Sequence, residues 1–475
     1  MRDSPEQAGD PAYPNAGIFD FAARAARSVA SAQSALRLAA TKEQRILRRF
    51  SLREACGYLG IERATLDIML RHPDAPTPVA PDSNAPTQFM QDPTLSASDL
   101  MTLRAIADSA NPAEAPARPF WRGADQPPVT ICFSSQKGGS GKSIAASNLA
   151  IAAALSYGMR VAVIDADPQA TASLYFATDR MAVANAEAAT FVRFMGVDGP
   201  KDPLVDHDGL ALDQFWQATP WPGLRLLPGG AEIQEADIAL HFLAARGELR
   251  EHPIHRILRD ALGRWIKAHP ATVRADDLRD ATGRLDRTAL AQGMSETVDL
   301  IVIDCAPSLS ISQLNAVVAS DMLVVPQTMR GFDLSTLEIY LGSLAAYGDV
   351  LRTLDRGTAF APLPSYILPT IVSSQSDTDM RHVAELYVAD PEIVCPVFYG
   401  RSEAVANAAE DYMSIYEYAP PKSRRTSASA FLANANAVAE AVLSRAFADF
   451  PIRGYANAFI RERLPEGMPL WTREV

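Results

Sequence analysis

Lys137-Gly138-Gly139-Ser140-Gly141-Lys142-Ser143 stands between an apolar run, Val129 to Phe133, and an alanine-rich stretch that starts at Ile144. The first run predicts a strand and the second a helix, so the glycines fall where a strand hands the chain to a helix N-terminus. There, successive backbone N–H groups and the helix N-terminus converge on phosphate oxygens, Lys142 adds a point charge, and the Ser143 hydroxyl offers a ligand to magnesium. The usual phosphate-loop pattern has a glycine where this chain has Gln136. In its place a second lysine, Lys137, directly precedes the paired glycines. The stretch reads as a nucleotide-binding loop in preference to a plain glycine-serine turn.

Downstream, Ile144 to Tyr157 reads as a helix. Val161–Ile164, Leu300–Ile303, Met322–Val325 and Tyr366–Val372 read as buried strands, with Leu224–Leu227 a further short one. Helical stretches lie among them, notably Ser335–Tyr347 and Thr378–Val388, and Ala428–Phe447 is a long alanine-rich helix. Short continuous apolar strands alternating with helices predict an α/β fold, a mostly parallel sheet covered by helices on both faces. The stretch from about 177 to 297 holds several helices, and composition does not reveal its role.

Two strands end in carboxylates, Val163-Ile164-Asp165-Ala166-Asp167-Pro168-Gln169 and Ile301-Val302-Ile303-Asp304-Cys305-Ala306-Pro307. In an open parallel sheet the ligand sits at the C-terminal strand ends, so both segments meet the glycine loop. Either carboxylate alone reads as a turn residue or helix cap. Two of them beside a Lys-Ser phosphate loop favour hydrolysis over passive binding, because Mg-nucleotide cleavage needs carboxylates to hold metal-bound water and to place the attacking water.

Ahead of this region, Arg24, Arg27, Arg37, Lys42, Arg45, Arg48, Arg49 and Arg53 form a basic island in a chain whose formal charge is −12. Within it Leu52–Leu59 reads as a helix, Gly60-Ile61 as a tight turn and Glu62–Leu70 as a second helix, anchored by Ala55, Leu59, Ile61, Leu66 and Leu70. The order is that of a helix-turn-helix; a plain helical hairpin gives the same pattern. His72 to Pro93 reads as an exposed, wing-like excursion, and Ser96–Ser109 as a further helix. The expected division is a helical segment over 1–42, a helix-turn-helix module over 43–112, a proline-rich linker over 113–127, the nucleotide domain over 128–450 and a tail over 451–475.

With 475 residues, 48% hydrophobic and 21% charged, the chain has room for a large core and more than one domain. Acidic residues outnumber basic ones, 56 to 44, so DNA binding has to rest on local patches. Cys56, Cys132, Cys305 and Cys395 lack the spacing of a zinc or iron-sulfur site and read as buried thiols in a reducing compartment. No secretion signal and no apolar run of the ~20 residues needed to span a bilayer is evident. The expectation is a soluble, cytoplasmic protein.

Together, the run 137–143, Asp165-x-Asp167-Pro168-Gln169, Asp304-x-x-Pro307 and Ser402-Glu403-Ala404 resemble, in family order, the ParA partition ATPases, whose phosphate loop is called a deviant Walker A motif. The resemblance covers roughly residues 128–447. The region before it, expected to form an all-α winged-helix-like domain, is similar to the N-terminal part of the larger ParA proteins and of the RepA-type ATPases of repABC replicons. It implies ATP and Mg2+ as cofactors, slow turnover, a homodimer formed on ATP binding, DNA, and stimulation by a ParB-type centromere-binding partner. By the same resemblance, Lys137 reaches the partner's nucleotide and Lys142 the β- and γ-phosphates. Ser143, Asp165 and Asp304 serve the metal, Asp167 orients water, and Pro396, Val397 and Phe398 line the adenine. A nucleoid-associated location and repression of its own operon complete the expectation. Two departures stand out, the long insertion before Asp304 and the chain beyond the usual last helix.

For DNA, the expected reading surface is Glu62–Arg71, with Arg63 and Thr65 towards base edges and Arg71 beside them. A second, nonspecific patch is expected at Lys422, Arg424 and Arg425, with Arg401 and Arg381 as additions. Three other readings stay open: a MinD-like membrane ATPase using Tyr455–Leu464, an electron-transfer ATPase like the nitrogenase iron protein, which the cysteine positions disfavour, and a transcription regulator with a vestigial ATPase.

Overall fold

The computed structural model describes residues 47–80, 93–178, 191–199, 202–246, 253–354, 363–410 and 412–463. The helical segment expected over 1–42, the basic residues Arg24, Arg27, Arg37, Lys42 and Arg45, and most of the excursion before Pro93 lie outside the described residues.

The first elements among the described residues are a small ribbon strand, β1 (Phe50–Ser51), and the helix Leu52–Leu59. Ser51 accepts from Glu54 N while Glu54 reaches back to Ser51 N, a capping box that starts the helix. Gly60, at φ +72, ends it in the left-handed conformation that glycine adopts freely. The second helix, Arg63–Met69, follows. Ala55, Leu59, Ile61 and Leu66 are buried as expected, and Leu70 is half-buried. β2 (Thr94–Leu95) pairs antiparallel with β1, Val79 bridges to Thr94, and the helix Ala97–Ile106 closes the module, which is therefore not all-α: short extended segments on either side of the helical pair meet as a ribbon.

A seven-stranded sheet follows: β3 (Val129–Phe133), β4 (Val161–Ala166), β5 (Gln217–Ala218), β6 (Leu224–Leu227), β7 (Leu300–Cys305), β8 (Met322–Thr328) and β9 (Tyr366–Thr370), in the order β5-β6-β4-β7-β3-β8-β9. All neighbours are parallel except the short edge strand β5, which pairs antiparallel with β6 and was not apparent in the sequence. Successive strand residues serve opposite faces. Ile131, Val163 and Val302 face one core, with the helices Lys142–Tyr157 and Arg425–Ala446 and the N-terminal module. Cys132, Ile164 and Ile303 face the other, formed largely by the insertion.

The insertion therefore has a structural role. Its helices Glu232–Ala245 and Ile257–Ala268 cover the second face, and Trp265 stacks on Trp216 at 4.6 Å while donating to Asp213. The proline-rich segment is packed, not free. Phe120 N donates to Tyr157 O, Trp121 Nε1 to Gly158 O, and Arg122 to Val298 O and Thr297 Oγ1. Prolines gave the composition of a linker, but tertiary carbonyls and a buried guanidinium hold the segment against the sheet.

Candidate nucleotide site

Strand register brings the acidic residues together. Asp304 pairs in register with both Phe133 of β3 and Asp165 of β4, so Asp304 lies on the strand beside the one that feeds the glycine loop and Asp165 on the next strand out. Gly139 and Gly141 have φ of +71 and +82, conformations that strain a residue with a Cβ, and the helix Lys142–Tyr157 begins at once after them. The Thr370 hydroxyl, at the end of β9, donates to Ser140 O at 2.7 Å, and Ser135 and Ser140 hydroxyls bond to each other.

Lys142 is buried and folds back over the loop, its Nζ 2.9 Å from Lys137 O. Burial lowers its pKa, and nearby Asp304 opposes that by favouring the charge. Asp304 is fully buried, and among the described residues neither of its carboxylate oxygens accepts a hydrogen bond of good geometry, the Ser143 hydroxyl being its near neighbour. Burial, then the charge of Asp165, raises its pKa well above the ordinary value, while the adjacent Ser143 hydroxyl works the other way. A buried carboxylate so sparsely hydrogen-bonded beside a helix-start serine fits a divalent cation. Among the described residues no three His, Cys, Asp or Glu side chains form a metal cluster, so such a cation would need ligands from phosphate and water.

Asp165, expected to serve the metal, is bonded to the loop that follows it. Its Oδ1 accepts from Asp167 N and its Oδ2 from both Ser173 N and Ser173 Oγ at 2.7 Å. These three bonds turn it towards the start of the Thr171–Phe176 helix, where it shapes the loop. Asp167 is buried and accepts from Gln169 N at 2.8 Å. The same loop leans on Gly229, where a Cβ would lie 2.7 Å from both Asp165 O and Asp167 O. Neither Ser173 nor Gly229 was singled out in the sequence; the latter's only mark is the Pro228-Gly229-Gly230 run closing β6.

Lys137 is half-exposed, with Nζ 2.7 Å from Asp333 Oδ1. Asp333 also takes the Thr328 hydroxyl, and its backbone carbonyl takes Gln327 Nε2. Next to it Phe332 is 92% exposed. Asp333 was missed because it sits inside a helical stretch, Gly331–Leu354, that begins earlier than its apolar pattern indicates.

Pro396, Val397 and Phe398 are buried, and the Val397 side chain packs into the main core. Phe398 packs with Met329, Val372 and Val383 and lines a cavity of about 490 Å³ together with Gly400, Ser402 and Asn434. That cavity opens two residues past Thr370.

At the module, Arg63 is exposed with Nε 2.9 Å from Asp67 Oδ1, Thr65 is half-buried and Arg71 exposed. The ion pair with Asp67 turns Arg63 along its own helix. Arg424 and Arg425 are exposed at the start of the Arg425–Ala446 helix, Arg401 is exposed, and Arg381 stands 3.8 Å from Glu385; the Lys422 side chain lies outside the described residues. Among the described residues no helix is long and apolar enough to cross a membrane.

Residues 131–415 match the family described as the CobQ/CobB/MinD/ParA nucleotide binding domain. A protein described as replication protein A in Rhizobium rhizogenes is 26% identical over 266 residues, 55% of this chain and 54% of that protein. The chromosome partitioning protein ParA of Caulobacter vibrioides is 29% identical over 237 residues, 48% of this chain and 70% of that protein. The chain thus spans about half the length of the first of these. A solved structure described as a partition protein superposes with a TM-score of 0.51 at 17% identity, covering 84% of this chain and 95% of that one, a likeness of fold.

Proposed function

Because the chain belongs to the CobQ/CobB/MinD/ParA nucleotide-binding family, we propose that it is a DNA-partition ATPase that pairs on binding Mg-ATP and is stimulated by a ParB-type adaptor. One observation carries the reading: the buried, sparsely hydrogen-bonded Asp304 next to Ser143 and Lys142 at the mouth of a glycine loop. The backbone of residues 138–143 and Lys142 bind the phosphates, and Ser143 with Asp304 would hold the cation. A bound Mg2+ neutralises charge that builds on the phosphate oxygens. Asp167, fixed by Gln169 N, orients the attacking water.

Lys137 is the residue for pairing. It lies at the surface, beside the exposed Phe332, and a cation there balances γ-phosphate charge presented by a second copy. Hydrolysis then loosens the pair. The Arg63–Met69 helix would read operator DNA and Arg424 and Arg425 would touch backbone phosphates, which makes DNA affinity fall steeply with salt. A cytoplasmic, nucleoid-associated location follows from that activity.

ATP turnover measured alone, with DNA, and with DNA plus the adaptor encoded beside it tests the proposal. Stimulation that needs both supports partition. Turnover that ignores both but accompanies ATP-dependent binding to liposomes would instead favour the MinD-like alternative.

A further inference from the structure

The chain past the Arg425–Ala446 helix reaches back to the N-terminal module. Arg453 Nη1 donates to Tyr58 O at 2.8 Å and Nη2 to Pro116 O at 3.2 Å, with Gly57 O and Leu59 O at 3.4 and 3.5 Å. The Tyr455 hydroxyl donates to Gly57 O at 3.2 Å. The Gly57, Tyr58 and Leu59 carbonyls end the first helix of the module, the negative end of its dipole, where cations bind well. The fit is close: a Cβ on Gly60 would come within 2.9 Å of the Arg453 guanidinium carbon.

The other side of the same guanidinium covers the Tyr157 ring, 4.6 Å from its centroid, and Phe450 packs on Tyr157 at 4.4 Å. Tyr157 is the last residue of the helix whose first residue is Lys142. Buried Glu440 anchors the whole segment, accepting from Arg453 N and Ala456 N at 2.6 and 3.0 Å. Arg104, from within the module, completes the joint by donating to Tyr58 O, Leu155 O and Ser156 O.

We infer that residues 447–463 are a clasp that locks the Leu52–Leu59 helix, and through the Gly60 turn the Arg63–Met69 helix, in a fixed orientation to the phosphate-loop helix, with Arg453 as its positioning residue. Only the consequence for DNA rests on the reading proposed above; the clasp itself does not. If two copies pair through their nucleotide sites, their reading helices are then held at one separation, which suits DNA with two half-sites at one spacing.

The test uses the full chain. Wild type should unfold in one transition, with slow amide exchange over residues 50–71. Arg453→Ala should split the transition in two and speed exchange over 50–71 by at least about tenfold, with exchange over 142–150 and affinity for an ATP analogue unchanged. Arg453→Lys should not restore the wild-type pattern, since one ammonium does not span Tyr58 O and Pro116 O. A single transition shifted in temperature, with exchange faster everywhere, would mark Arg453 as merely stabilising and overturn the clasp, as would full rescue by Lys. Binding to the DNA upstream of its own gene should fall about tenfold in Arg453→Ala. If wild type binds no such DNA, the DNA reading fails and the exchange pattern alone decides the clasp.

Discussion

Lys137 Nζ sits 2.7 Å from Asp333 Oδ1 within one chain, so the lysine proposed to act across a pair is held at home before pairing. Burial pushes the Asp333 carboxyl up, but hydrogen bonds from Lys137 and Thr328 outweigh it and hold its pKa below the ordinary value. A depressed carboxyl pKa means the contact is intact above the unfolded value near 4 and weakens only in acid. Lys137 is half-exposed, so the pair is worth at most about 1 kcal/mol. Asp333→Asn should therefore lower the non-hydrolysable ATP concentration needed for dimer by roughly two- to fivefold, with little change from pH 6 to 8. Light scattering coupled to gel filtration checks it; a higher requirement in the variant would show that Asp333 assists pairing.

Asp304 should make the nucleotide-free protein sensitive to alkali. Its pKa is raised by burial and by Asp165, which is itself pushed up to about 7, chiefly by burial. A raised carboxyl pKa gives stability that is complete below the unfolded value near 4 and is lost as pH climbs through the folded value. Asp304→Asn should flatten that loss in thermal melts between pH 5.5 and 8.5, and should abolish any stabilisation that requires Mg2+ in addition to nucleotide. Identical pH slopes for the two proteins would contradict the assignment.

The sheet was legible because its strands are unbroken apolar runs, and Val161–Ala166 and Leu300–Cys305 are buried on both faces. The glycine loop was legible because its chemistry is local. What escaped the sequence depends on partners distant along the chain. Asp333 meets Lys137 across nearly two hundred residues, Gly229 matters only because β6 carries it against the Asp165 loop, and the 113–127 segment is fixed by carbonyls of Tyr157, Gly158 and Val298. The two-residue strand β5 has no periodicity to read. Asp165 has the sequence position expected of a residue serving the metal, and the Ser173 bonds that also hold it come from a helix start that carries no such mark.

Gly229→Ala should force the Asp165–Asp167 loop to shift, because the added carbon meets two backbone oxygens at 2.7 Å. Overpacking of this kind costs about 1–3 kcal/mol. Turnover should drop more than about tenfold while affinity for an ATP analogue changes less, since Asp167 serves water and not phosphate. Wild-type turnover in a folded variant would remove Gly229 from the site.

Asp299 and Arg160, each 1% exposed, form a buried pair at 2.7 Å, and the Asp299 carboxylate also takes Arg122 N and Arg160 N. Asp299→Ala strands a guanidinium stacked on Trp121 and should cost about 3–5 kcal/mol in urea unfolding. A loss below 1 kcal/mol would mean that water reaches the pair.

The most direct measurement is equilibrium binding of a fluorescent ATP analogue with Mg2+ to wild type and to Lys142→Ala. Removing a buried cation aimed at phosphate should weaken binding by about 30-fold or more, in line with 2–5 kcal/mol for a charged contact. Equal affinity in the two proteins, with both folded, would contradict the phosphate-loop assignment on which the account stands.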